Sequence, residues 1–132
     1  KLPCHPDWQP VLREVRAWGV PTLLTGLSNP VQLLWARAQG ANYVAPYVGR
    51  LQADGRDVWA LIEACVAVQA DGLQLLAASI KSADVLSRLI ACGAHAVTVR
   101  PEFAASLATD PLTLTAMAQF DQDVETSQKA IS

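Results

Sequence analysis

The sequence predicts an α/β fold built from successive strand–helix units with parallel strands. Four apolar runs, at residues 20–25, 43–48, 73–79 and 96–100, recur with helical segments between them. These runs are continuous stretches of Val, Leu and Ala rather than alternations of apolar and polar residues, the pattern of strands buried in a parallel sheet. Each run also changes character at its C-terminal end, giving Thr25-Gly26, Tyr47-Val48-Gly49-Arg50, Ser79-Ile80-Lys81 and Arg100-Pro101-Glu102. Small hydroxyls and cations therefore gather at one end of the sheet. That end is where a parallel barrel carries its chemistry, and a doubly wound open sheet also binds ligands at strand ends. The pattern alone leaves both architectures open.

The elements follow in order. Lys1-Leu2-Pro3 is too short to assign by itself. Pro6-Asp7 opens a helix with Trp8, Val11, Leu12, Val15 and Trp18 at helical spacing, Asp7 as its expected cap and Gly19 as its stop. Residues 20–25 form the next strand, with Pro21 tolerated near its start. Asn29-Pro30 places a capping amide and a ring-fixed φ where a helix begins; Leu33, Leu34 and Ala38 line its buried face and Gly40 ends it. Residues 43–48 form a strand, residues 52–56 a polar loop, and residues 57–69 a long helix presenting Val58, Leu61, Ile62, Cys65, Val66 and Val68. Ser82 caps a helix carrying Val85, Leu86, Leu89 and Ile90, closed by Gly93. After the last strand, residues 101–107 read as a short helix and residues 111–129 as a terminal one. No linker or low-complexity tract divides the chain, so one domain, or one half of one, is expected over residues 1–132, with no second domain.

Composition narrows the function classes. The 132 residues fall short of the roughly 250 of a complete eight-stranded barrel. A hydrophobic share of 52% against 17% charged residues suits a core-rich fold or a surface covered by another chain. A net charge of -2 gives no general attraction to nucleic acid or acidic lipid, so neither is expected as a partner. No apolar run approaches the roughly 18 residues of a membrane span. The three scattered cysteines, Cys4, Cys65 and Cys92, suit reduced thiols and a cytoplasmic location. With no initiator Met and no signal-like segment, the chain is expected to start at a cut, with sequence missing upstream. Cys4-His5-Pro6-Asp7 offers possible metal ligands but no second pair at zinc-site spacing, so no metal is expected. Likewise no Ser-His-Asp set, P-loop or dinucleotide fingerprint is present, and no cofactor is expected. His95 reads as satisfying a turn at a strand start, and Trp8, Trp18, Trp35 and Trp59 as packing helices onto the sheet.

Four segments carry a resemblance when taken together and in order: Lys1-Leu2-Pro3, Gly19-Val20-Pro21-Thr22-Leu23-Leu24-Thr25, Ala41-Asn42-Tyr43-Val44-Ala45-Pro46-Tyr47-Val48-Gly49-Arg50 and Leu76-Ala77-Ala78-Ser79-Ile80-Lys81. The chain resembles the transaldolase family, most closely its short members, the fructose-6-phosphate aldolases. It resembles their C-terminal three-fifths. The resemblance implies the C-terminal part of a (β/α)8 TIM barrel, from about the end of the fourth strand through the eighth, plus a terminal helix. It also implies a class I aldolase or transaldolase acting on a ketose or ketose phosphate. Lys1 matches the lysine that forms a Schiff base with the ketose carbonyl; an unprotonated amine held in a barrel lumen is a competent carbonyl nucleophile. Tyr47 and Thr25 match the tyrosine and threonine that manage a catalytic water. Arg50 and Ser79 match the phosphate-binding pair, with Lys81 as a supplement, since a guanidinium makes paired charge-assisted bonds to phosphate. The competing role for Arg50 is a rim ion pair with Asp54 or Asp57.

The chain departs from the family pattern in two ways. Gly26-Leu27-Ser28 stand where an alanine, an aliphatic residue and an aromatic ring are usual, and Ile80 stands where Phe is common. The family's first-strand aspartate and the polar groups of its first three strands have no counterpart in these residues. The implied partners are therefore a sugar phosphate and an upstream barrel segment or partner chain, within a homo-oligomer. The rival expectation is a non-catalytic half-barrel that binds phosphate or serves as an assembly piece.

Overall fold

A computed structural model describes residues 1–131, which fall into two compact units, Lys1–Val99 and a second from Arg100 onward. The first unit holds one five-stranded parallel sheet: β1 (Leu2–Pro3), β2 (Leu23–Leu27), β3 (Tyr43–Pro46), β4 (Gln74–Ala77) and β5 (Ala96–Val97). The strands lie side by side in chain order. Between them run α1 (Gln9–Ala17), α2 (Pro30–Ala38), α3 (Val48–Ala53), α4 (Val58–Ala67) and α5 (Ala83–Cys92). A doubly wound sheet needs a reversal of strand order, and none occurs here, so the order is that of a barrel wall.

Burial separates the two faces of that wall. Leu24, Val44, Leu75 and Ala77 are completely buried, whereas Leu23, Tyr43, Gln74 and Leu76, on the alternate positions, are only half-buried. One face is covered and the other is left open. The covered side packs against α2 on β2 and α4 on β4, where Leu33 of α2 and Ile62 and Cys65 of α4 are buried; Leu12 of α1 and Leu89 of α5 are buried as well.

Local chemistry explains the element ends. Asn29 accepts from the Gln32 amide and Ser82 from the Val85 amide, so α2 and α5 begin where their caps predict. Gly93, at φ 86°, ends α5 as expected. The strands are shorter than their apolar runs. The third ends in a last bridge, the Val48 amide donating to the Ala78 carbonyl at 2.8 Å. It yields there because the Tyr47 carbonyl accepts from the Arg50 and Leu51 amides in the first turn of a helix. Helix α3 therefore takes residues 48–53 and trims the expected loop. His5 rather than Asp7 caps the opening turn: its Nδ1 accepts from the Asp7 amide, and a single 3-10 turn, Pro6–Trp8, precedes α1.

Two of the tryptophans do not pack as expected. Trp18 is 67% exposed and Trp8 40%, while half-buried Trp59 lies 3.9 Å beneath the Arg88 guanidinium. The second unit consists of α6 (Pro101–Ala108) and α7 (Pro111–Ile131). Among the described residues no helix is long and apolar enough to cross a membrane.

Candidate active site

The residues of interest lie at the C-terminal ends of β2, β3 and β4 and, for Lys1, directly before β1. Register fixes their neighbours: Pro3 stands opposite Thr25, and Thr25 opposite Ala45. Beyond β3 the chain continues through Tyr47, which bridges to Ala78 past the end of β4. The Thr25 hydroxyl donates to the Tyr47 phenol oxygen at 2.6 Å. That bond links the ends of two neighbouring strands. The Arg50 guanidinium lies over the Tyr47 ring, 4.5 Å from its centroid, a cation–π contact.

Neither carboxylate expected as a rival partner engages Arg50. Asp54 pairs with Arg56 at 2.8 Å, and Asp57 accepts from the Ala60 amide to cap α4. Ser79 and Lys81 approach the same turn from β4: a Cβ built at Gly49 would meet Ser79 Oγ at 3.1 Å and Lys81 Cδ at 3.2 Å. Thr25, Tyr47 and Arg50 thus form one contact chain, and Ser79 and Lys81 sit against the residue that precedes Arg50.

Lys1 stands apart from this cluster. It lies two residues before Pro3, so strand alternation puts it on the face that Pro3 shares with Thr25. The exposure pattern agrees, with Lys1 and Pro3 exposed and Cys4 buried. No hydrogen bond among the described residues joins it to the Thr25–Tyr47 pair. The two thiols nearby face the other way. Burial pushes the Cys4 thiol up to about 11; burial, then the charge of Cys4, pushes Cys65 up to about 12. Both are protonated, inert core groups near neutrality.

Several supporting residues escaped the reading of the sequence. Gln32 joins the loops after β1 and β2: its Oε1 accepts from the Ser28 amide and hydroxyl and from Asn29 Nδ2, and its Nε2 donates to the Cys4 carbonyl at 3.1 Å. The Asn29-x-x-Gln32 spacing of a capping box was the available signal. Gln69 does the same at the opposite end, accepting from the Leu75 and His95 amides and donating to the Gly93 carbonyl. The His95 ring itself lies 6.2 Å from that of Tyr43.

Comparison with known proteins adds to this geometry. The model of the family described as transaldolase/fructose-6-phosphate aldolase matches residues 1–132. A "probable transaldolase" of Streptococcus agalactiae is 31% identical over 132 residues, covering 98% of this chain and 61% of the relative. Another, from Thermoplasma acidophilum, is 32% identical over 126 residues, covering 93% of this chain and 56% of the relative. A third, from Exiguobacterium sp., is 28% identical over 131 residues, with 97% and 61% covered. The chain spans about three-fifths of the length of the curated relatives it matches.

Proposed function

We propose, since the chain belongs to the transaldolase/fructose-6-phosphate aldolase family, that it supplies the lysine, proton-handling and phosphate-binding side of a class I ketose aldolase or transaldolase. The observation that carries this reading is the Thr25–Tyr47 hydrogen bond of 2.6 Å with Arg50 stacked on the Tyr47 ring. It joins proton-transfer groups to an anion-binding group on the sheet face that Lys1 shares.

The chemistry would run in balanced steps. Lys1 Nζ adds to the C2 carbonyl of a ketose such as fructose 6-phosphate, and loss of water leaves an iminium. A base removes the C4 hydroxyl proton, the C3–C4 bond breaks, and its electron pair moves into the iminium to give an enamine while an aldehyde departs. Protonation of the enamine and hydrolysis of the resulting iminium by water release dihydroxyacetone, free Lys1 and complete an aldolase cycle. Capture of a second aldehyde followed by the same hydrolysis releases the new ketose and completes a transaldolase cycle. Tyr47, positioned by Thr25, is the proton-transfer group within this chain, a role generally worth about a hundredfold or more in rate. Arg50, Ser79 and Lys81 hold the phosphate. The working assembly in this reading is a cytoplasmic homo-oligomer whose barrel is completed by further strands.

The test is reductive trapping. Incubation with dihydroxyacetone or fructose 6-phosphate and borohydride should add the reduced ligand's mass to Lys1 Nζ, located by peptide mapping. An adduct confined to other amines, or none at all in an assembly that binds the ketose, would overturn the imine.

A further inference from the structure

We propose, resting on the phosphate reading above, that Gly49 is a positioning residue: its missing side chain admits the Ser79 carbonyl and so fixes the β4–α5 loop in the arrangement that recognises a phosphorylated ligand. Ser79 carries the clue. At φ 62° it is the one non-glycine residue with positive φ among the described residues. A serine in the left-handed region is strained, and such strain persists only where neighbouring structure holds it.

The restraints are visible on each side of Ser79. Before it, Ala78 is clamped to the β3 end, its amide donating to the Pro46 carbonyl at 3.1 Å and its carbonyl accepting from Val48 at 2.8 Å. After it, Ile80 is buried at 6% exposure and anchors the loop in the core. Between these anchors the left-handed turn presents the Ser79 carbonyl to the Gly49 amide, which donates at 3.0 Å.

Only glycine permits that approach. A Cβ at position 49 would lie 2.6 Å from the Ser79 carbonyl oxygen, closer than carbon and oxygen can stand. The obstructing atom is backbone, so the loop would have to move, and with it the Ser79 hydroxyl and the Lys81 stem that pack on the same spot. Gly49 itself touches no ligand. It brings the Ser79–Lys81 loop to the turn that holds Arg50 before a phosphate arrives, which lowers the ordering cost of binding.

The experiment compares dissociation constants for fructose 6-phosphate and fructose by calorimetry on the parent protein and on Gly49→Ala, Arg50→Ala and Ile80→Ala. Gly49→Ala should weaken fructose 6-phosphate about tenfold or more and leave fructose within about twofold. Retained phosphate affinity in Gly49→Ala, together with its loss in Arg50→Ala, overturns the positioning role and leaves the phosphate reading standing. If Arg50→Ala also keeps its preference for the phosphorylated sugar, both fall together. Equal losses for the two ligands in Gly49→Ala reduce the position to general stability and overturn the proposal. Should Gly49→Ala fail to fold by circular dichroism, Ile80→Ala decides, since it loosens the same loop from beneath. The expected result is faster hydrogen exchange of the Gly49 amide and a phosphate-selective loss, and faster exchange with unchanged phosphate affinity overturns the proposal.

Discussion

Tyr47 is held from two sides, by the Thr25 hydroxyl at its oxygen and by Arg50 on its ring, and the two contacts can be separated by a single substitution. Tyr47→Phe keeps the ring under Arg50 and removes only the phenol oxygen. It should cost about 1 kcal/mol of stability for the lost hydrogen bond and lower kcat about a hundredfold or more if the phenol moves a proton. A kcat within a few-fold of the parent's, measured with the ketose cleaved or transferred, would make Tyr47 a wall residue. The buried thiols give a second residue-scale expectation. Cys4 and Cys65 hold their protons more tightly in the folded chain, up to about 11 and 12, than the ordinary thiol at 9.0. Above pH 9 the unfolded chain releases protons that the folded one keeps, so stability from these groups is full below pH 9 and is lost as pH rises toward their folded values. The thermal midpoint should therefore fall between pH 9 and pH 11, and Cys65→Ala should flatten that slope. An identical slope in the variant would assign the effect to other groups.

At the scale of elements, helix α2 shows how local chemistry reaches the site. Its cap, Asn29, accepts from the Gln32 amide at 3.0 Å, and the Gln32 side chain then joins the loops that follow β1 and β2. Asn29→Ala should destabilise the protein by about 0.5–2 kcal/mol, read as a lower denaturant midpoint with unchanged slope. An unchanged midpoint would show that Gln32 holds the helix start without its cap. The caps at Asn29 and Ser82 were legible in the sequence because they depend on residue type at a fixed offset, and so was the glycine stop at Gly93; the cap expected at Asp7 fell to His5 instead. The strand ends were not legible. Where β3 gives way to α3 is decided by where the ladder to Ala78, 30 residues on from Val48, stops and the helical bonds to the Tyr47 carbonyl begin, and no local pattern encodes that point. The same limit applies to the candidate site. Thr25, Tyr47, Arg50, Ser79 and Lys81 stood out through a resemblance and through their places at strand ends. The left-handed turn at Ser79 and the close approach at Gly49 are products of tertiary packing.

At the scale of the whole molecule, a parallel sheet in chain order with one face open is an incomplete surface, because parallel sheets are stable with both faces covered. The open face carries Leu23, Leu76 and Thr25, with Tyr47 at its end, and β1 and β5 are the edges of the sheet. The 132 residues expressed alone should bind a hydrophobic dye and sediment in a concentration-dependent manner, and a dye-silent monomer with a sharp cooperative transition would remove the need for further strands. The second unit makes a separate demand. Along α7, Met117, Phe120 and Val124 are spaced by three and four residues and are 55%, 65% and 56% exposed, a stripe that suits packing against another helix face. In the proposed homo-oligomer this stripe lies on a neighbouring copy. Phe120→Asp puts a charge at its centre, where burial without a partner is costly, and should shift the assembly to a smaller species in sedimentation velocity while leaving the circular dichroism of the chain unchanged. An assembly of unaltered size would place the subunit contact elsewhere and leave the stripe to a different partner.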